Sequence, residues 1–151
     1  MKPNPIPDDC HAITPYLTVP DAARIIEFLK QAFGGIEGAR ITRPDGTVLH
    51  GQVRIRDSLL MIGEPQGQWK PRPMMLYHYV ADVDAAYQRA LAAGAKSIVE
   101  PADMFYGDRH ACVRDMADND WWLASRIENM SAEEIRKRAN EMFMKMAKKT
   151  A

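Results

Sequence analysis

The sequence predicts an α+β fold: two βαβββ modules that form a cup-shaped mixed sheet, followed by a C-terminal helix. Three observations lead there. The order of strand, helix and turn signals repeats at an offset of about 61 residues. Each copy carries one glycine-closed helical pattern among several short apolar runs. The residues after 127 carry a separate amphipathic pattern with its own start signal. The expected organisation is one paired domain over 1–127, with modules at about 12–64 and 74–126, a linker at 65–73, and a helix within 128–151.

The elements follow in order. Residues 13–19, Ile-Thr-Pro-Tyr-Leu-Thr-Val, read as a first strand. Asp21 then caps a helix whose stripe is Ile25, Ile26, Leu29, Ala32 and Phe33, closed at Gly34-Gly35. Asp45-Gly46 precedes a strand pair, and Asp57-Ser58 introduces Leu59-Leu60-Met61-Ile62. Three prolines between Pro65 and Pro73 mark the linker. The second copy opens on residues 74–80, Met-Met-Leu-Tyr-His-Tyr-Val. Asp82 or Asp84 caps a helix with Val83, Tyr87, Ala90 and Leu91 on one stripe and Gly94 at its end. Gly107-Asp108 and Asp118-Asn119 repeat the two turns, the latter before Trp121-Trp122-Leu123-Ala124. In the tail, Ser131 to Glu134 form a capping box, with Glu134 reaching back. Ile135, Ala139, Met142, Phe143 and Met146 then make a stripe suited either to a partner or to the domain itself.

Composition narrows the function. Lys plus Arg equal Asp plus Glu at 20 each, so no general electrostatic footprint for nucleic acid or an anionic membrane exists. No apolar run approaches the roughly 18 residues that span a bilayer, and the start of the chain lacks a signal-peptide core. Its three prolines and two aspartates read as an extended arm. Two cysteines, Cys10 and Cys112, are too few for a disulfide framework, and the expected compartment is the cytoplasm. A four-stranded sheet with a helix on one face leaves its other face to be covered or to bind a ligand. A small organic molecule in the cup is therefore the expected partner.

Two βαβββ modules in about 125 residues resemble the vicinal oxygen chelate superfamily, which includes glyoxalase I, bleomycin-resistance proteins and extradiol dioxygenases. Local strings are similar to its PhnB-like branch: Ile13-Thr14-Pro15-Tyr16-Leu17, Tyr106-Gly107-Asp108-Arg109, and the run from Arg114 to Ala124. The resemblance implies a homodimer whose modules pair within or across chains. It also implies a divalent metal held by one His or Glu from each of four strands. The matching positions here are Thr14, Met61, Met75 and Trp122. A weak neutral hydroxyl, two thioethers and an indole do not suit a hard or borderline cation. The expectation is therefore no metal, no cofactor, and neither glyoxalase nor dioxygenase activity of the metal-dependent kind.

Strand alternation assigns the cup lining. If Thr14 and Met75 face the cup, so do Tyr16, Thr18, Tyr77 and Tyr79, while Leu17, Val19, Leu76 and Val80 face the helices. The candidate ligand-binding residues are Tyr16, Gln52, Met61, Met75, Tyr77, Tyr79, Arg109 and Trp122. Rings and polarizable sulfur suit a flat aromatic ligand or an organic cation. The plain alternative is core filling. His50 is the candidate acid/base group if the cup is instead a small lyase, isomerase or transferase. His78 shares parity with Leu76 and Val80 and reads as a helix-side core residue. His110 and Cys112 form a thiolate–imidazole pair only if both face the cavity. Arg109 either binds an anion or holds a neighbouring aspartate.

Overall fold

A computed structural model describes residues 3–149, and within them the side chain of Lys149 is left aside. Met1 and Lys2 of the expected arm, and Thr150 and Ala151 of the tail, lie outside the described residues. The first half runs β1 (Tyr16–Thr18), α1 (Ala22–Phe33), β2 (Ile36–Thr42), β3 (Val48–Ile55) and β4 (Ser58–Gly63). The second runs β5 (Met75–Tyr79), α2 (Val83–Ala92), β6 (Lys96–Asp103), β7 (Asp108–Arg114) and β8 (Asp120–Arg126). The long helix α3 (Ala132–Lys149) closes the chain.

Each half is a mixed four-stranded sheet, ordered β1-β4-β3-β2 and β5-β8-β7-β6. The repeat is visible in the parallel registers. Tyr16, Leu17 and Thr18 stand opposite Met61, Ile62 and Gly63. Tyr77, His78 and Tyr79 stand opposite Trp122, Leu123 and Ala124. Every one of these partners is displaced by the same 61 residues that the sequence shows.

The caps form where the short polar side chains stand. Asp21 accepts from the N–H of Arg24, and Asp82, not Asp84, accepts from that of Ala85. Gly34 ends α1 in the left-handed region at φ 67°, which an L side chain adopts only at a cost. The inner faces of α1 and α2 bury Ile25, Ile26, Phe28 and Leu29 on one helix and Val83, Ala86 and Tyr87 on the other. The two helices pack against each other, and Arg89 Nε donates to the carbonyl of Ala32 at 3.2 Å. Phe33, at the end of α1, reaches the second half, with ring centroids 5.1 Å from both His78 and Trp121. The halves therefore share one core.

Three expectations are corrected. The first strand is shorter than residues 13–19, because Pro15 has no N–H to give a ladder and Thr14 turns away, its hydroxyl donating to the carbonyl of His11 at 2.9 Å. The capping box is half formed. Ser131 Oγ accepts from the N–H of Glu134, but the Glu134 carboxylate accepts from Arg138 instead of reaching back. The tail stripe is divided. Ile135, Ala139 and Met142 are half-buried, whereas Phe143 and Met146 are each 60% exposed. The helix is rooted by Arg138, which also receives the Glu128 carboxylate in a two-pronged contact.

Gly51 sits in the middle of β3 with ordinary backbone angles, and a Cβ there would lie 2.9 Å from Ile26 Cδ1. Gly51→Ala is therefore expected to cost about 1–3 kcal/mol through overpacking. Ile26→Val removes the obstructing methyl. In that background the same glycine change should cost at least about 1 kcal/mol less, a coupling of the size that contacting residues show. Urea unfolding of the four proteins in the cycle measures it, and strict additivity would contradict the close approach.

Candidate functional site

Register and alternation place the outer-face residues of each sheet. In the first sheet Tyr16, Met61 and Gln52 stand in one cross-strand row. The His50 ring lies beside Tyr16 at 5.8 Å. Next to them the N-terminal arm comes down on Arg54, which donates to the carbonyl of Asp9 at 3.2 Å and pairs with its carboxylate. In the second sheet Tyr77, Trp122 and Cys112 form the corresponding row. The His110 ring is 5.0 Å from that of Trp122, and its Nδ1 shares a 2.8 Å hydrogen bond with the Tyr106 hydroxyl.

A polar chain runs along this second face. Tyr79 donates to Asp108 Oδ2 at 3.2 Å, and Arg126 approaches the other carboxylate oxygen at 3.5 Å. Asp108 is only 3% exposed, with these two groups against its carboxylate. Desolvation, a hydrogen bond to Tyr106 and the nearby Asp108 charge together push the Tyr77 phenol up to about 12. Burial lowers the His110 imidazole, with Asp108 opposing, so the ring favours its neutral form.

His110 and Cys112 do share a face, but no thiolate–imidazole pair exists. His110 Nδ1 is engaged by Tyr106, and the Cys112 thiol contacts only the Val113 carbonyl, at 3.9 Å. Burial first, then the charge of Asp120, push that thiol up to about 11, away from the nucleophilic form. Cys112 is fully buried and Cys10 is not. A thiol reagent at pH 8 is thus expected to label one cysteine quickly and the second only after denaturation. Rapid labelling of both would contradict the burial of Cys112.

Two concave spaces lie away from the centres of these faces. The larger, about 900 Å³, runs along β5 between its unpaired edge and the β3–β4 hairpin. It is lined by Met75, Tyr77 and Tyr79, by the apolar side chains of Leu60, Leu76 and Trp121, and by Arg56 and His78. A smaller one, about 470 Å³, lies between Tyr16 and the linker residue Trp69. The structure therefore divides the residues selected from the sequence. Met75, Tyr77 and Tyr79 line the large cavity, and Tyr16 lines the small one. Gln52, Met61, Trp122 and His50 line neither. Arg109 points to the helix side, where Asp84 and Asp103 hold its guanidinium at 2.6–2.8 Å. Arg56 and Asp108 were not distinguishable by sequence pattern. His78, expected by parity as a helix-side core residue, meets Phe33 of α1 on that side but is half-buried, because it also borders the large cavity.

Two βαβββ halves related by a 61-residue shift, each a mixed four-stranded sheet with one helix packed on one face, define a paired-module class of α+β protein. Residues 11–123 match the family model of the glyoxalase/bleomycin resistance protein/dioxygenase superfamily, and the chain belongs to that superfamily. It is 33% identical over 135 residues to an uncharacterized protein of Mycobacterium bovis, a match covering 82% of this chain and 89% of the relative. Among solved structures it resembles TioX from Micromonospora sp. ML1, with a TM-score of 0.67, 22% identity, and coverage of 77% of this chain and 98% of that one. It also resembles a PhnB protein from Bacillus cereus, with a TM-score of 0.60, 13% identity, and coverage of 76% and 99%. These two similarities establish the fold.

The divalent metal common among enzymes of the superfamily can be tested against the donors present. Thr14 is engaged with the arm, Met75 is 70% exposed on the cavity strand, and Met61 and Trp122 offer a thioether and an indole. Among the described residues, no group of three or more His, Cys, Asp or Glu is placed to hold a metal ion. The donor set at the four family positions does not fit such a cation. Among the described residues, no helix is long and apolar enough to cross a membrane.

Proposed function

We propose that this protein binds a small organic molecule in the cavity along β5, using side-chain and backbone contacts in place of a metal ion. The observation that carries this reading is the cavity itself. Its volume of about 900 Å³ falls within the range of small-molecule sites, and its walls combine apolar side chains with a few polar groups. Met75, Tyr77 and Tyr79 supply thioether and aromatic surface, and Trp121 supplies the largest ring.

Trp121 also gives a signal. Titration with a panel of flat aromatic compounds in the presence of EDTA is expected to change tryptophan emission saturably for a subset of them. Met75→Ala combined with Tyr77→Ala, which strips exposed thioether and ring surface from the cavity wall, should sharply weaken the response while leaving the fold intact by circular dichroism. The reading fails if the whole panel is silent, or if binding appears only after a divalent metal is restored.

A further inference from the structure

We infer that the ligand of this cavity is an apolar carboxylic acid, its carboxylate received by Arg56 and His78 and its apolar body by the wall of Leu60, Leu76 and Trp121. This rests on the preceding reading and adds the chemical class. Arg56 stands at the tip of the β3–β4 hairpin and lines the cavity. Several arginines of the fold are held by carboxylates: Arg54 by Asp9, Arg109 by Asp84 and Asp103, Arg114 by Asp120 and Arg138 by Glu128. Arg56 has no ion-pair or hydrogen-bond partner among the described residues. Its backbone is at φ 54°, the left-handed conformation that the two-residue hairpin turn between Ile55 and Ser58 calls for.

His78 lines the same space from the opposite wall. Its ring is fixed edge-on to Phe33 with Nδ1 closed off and unpartnered, which leaves Nε2 as the ring nitrogen a ligand can meet. Burial first and the positive charge of Arg56 second hold its imidazole below the usual histidine range. The two groups therefore lie close enough to feel each other. A guanidinium suits a carboxylate through its fork of donors, and a neutral imidazole adds one more through the ring nitrogen that carries its hydrogen.

The strand itself adds donors. Val80 N–H is given to Ala124, and the Met74 carbonyl accepts from Asp120, so the even residues of β5 spend their backbone groups on β8. By alternation, the N–H groups of Met75, Tyr77 and Tyr79 point away from β8 along the open edge that borders the cavity. Asp57 is the opposing charge at the rim, where it accepts from the Ser58 hydroxyl at 3.1 Å. One cation beside one anion favours a singly charged head group over a phosphate.

The test compares 2-naphthoic acid with its neutral isostere 2-naphthamide by calorimetry at pH 7.5, on the full chain. The acid is expected to bind one-to-one and at least about tenfold more tightly than the amide. Arg56→Ala should weaken the acid about tenfold and leave the amide unchanged. Arg56→Gly relieves the left-handed backbone and so guards against misfolding; it should do the same. His78→Phe should reduce the preference for the acid while retaining the amide. Equal binding of acid and amide, or full acid affinity in both Arg56 variants, overturns the carboxylate assignment and leaves the cavity reading standing. Binding of neither probe, together with a silent panel, overturns both.

Discussion

Asp115→Ala is expected to lower the stability of the protein by about 3–5 kcal/mol, as the removal of one partner from a buried charged network does. Asp115 is 3% exposed, and its two carboxylate oxygens collect the whole β7–β8 turn. They accept from the backbone N–H of Ala117 at 2.8 Å and of Asn119 at 3.0 Å, from the Asn119 amide, and from Trp121 Nε1 at 2.9 Å. Asn119, fully buried, passes the connection on by accepting from the N–H of Met74 just before β5. Alanine would strand these donors in the core without water. The left-handed Asp118 between them, at φ 64°, would lose the restraint that holds it there. For a chain of this size the melting temperature should fall by roughly 6–20 °C. Asp115→Asn keeps the shape but turns an N–H₂ toward one of the donors, so its loss should be intermediate. Urea unfolding followed by tryptophan emission measures all three proteins. A loss below about 1 kcal/mol for alanine would mean that the carboxylate does not carry the turn.

Phe28→Ala should cost a comparable amount, about 3–5 kcal/mol, for a different reason. The ring is 2% exposed on the inner face of α1, so truncation leaves a cavity that the surrounding core fills only in part. The consequence also travels. Phe28 packs edge-on against Phe33 at 5.5 Å, and Phe33 in turn touches His78 and Trp121 of the second half. With Phe28 gone, Phe33 gains room to move, and the seam between the halves loosens. Two readouts are therefore expected: a lower urea midpoint, and red-shifted Trp121 emission before global unfolding begins. Phe28→Leu, which retains most of the volume, should lose clearly less. Equal losses in the two variants would show that ring packing is not what holds α1 to the core.

Much of the fold is legible because its rules are local or periodic. A repeated Val-x-Asp turn places Asp21 and Asp82 at helix starts, since a short carboxylate two or three residues before free N–H groups caps them wherever the chain goes. Strand parity sends Leu17 and Leu123 inward and leaves Tyr77 and Tyr79 on the other face, because successive side chains of a strand must point to opposite sides. The limits are equally physical. Thr14 belongs to the arm and not to β1, because Pro15 interrupts the ladder and the Thr14 hydroxyl finds a partner in His11. The strip from Ile135 to Met146 has a clean helical period, yet period alone does not say how far along a helix its cover extends.

The candidate site was harder to read. Its position depends on the packing of α1 against α2, a contact between residues far apart in the chain. That packing, with Phe33 inserted into the second half, leaves the edge of β5 facing the hairpin at Ile55–Ser58. Nothing in the run Arg56-Asp57-Ser58 announces a left-handed arginine or an unpaired guanidinium at a cavity wall. The parity that reads His78 as a core residue is equally silent on whether the core beside it is filled.

By itself, then, the sequence determined the two modules, their 61-residue correspondence, the helix caps and the unsuitable donors at the family's metal positions. Each of these follows from residue type and spacing within a few turns of chain. Where concave space remains, and which charges border it, follows from how distant elements pack together. A cavity is volume left over when distant elements meet, and the pattern within any one element does not encode what its neighbours leave unfilled.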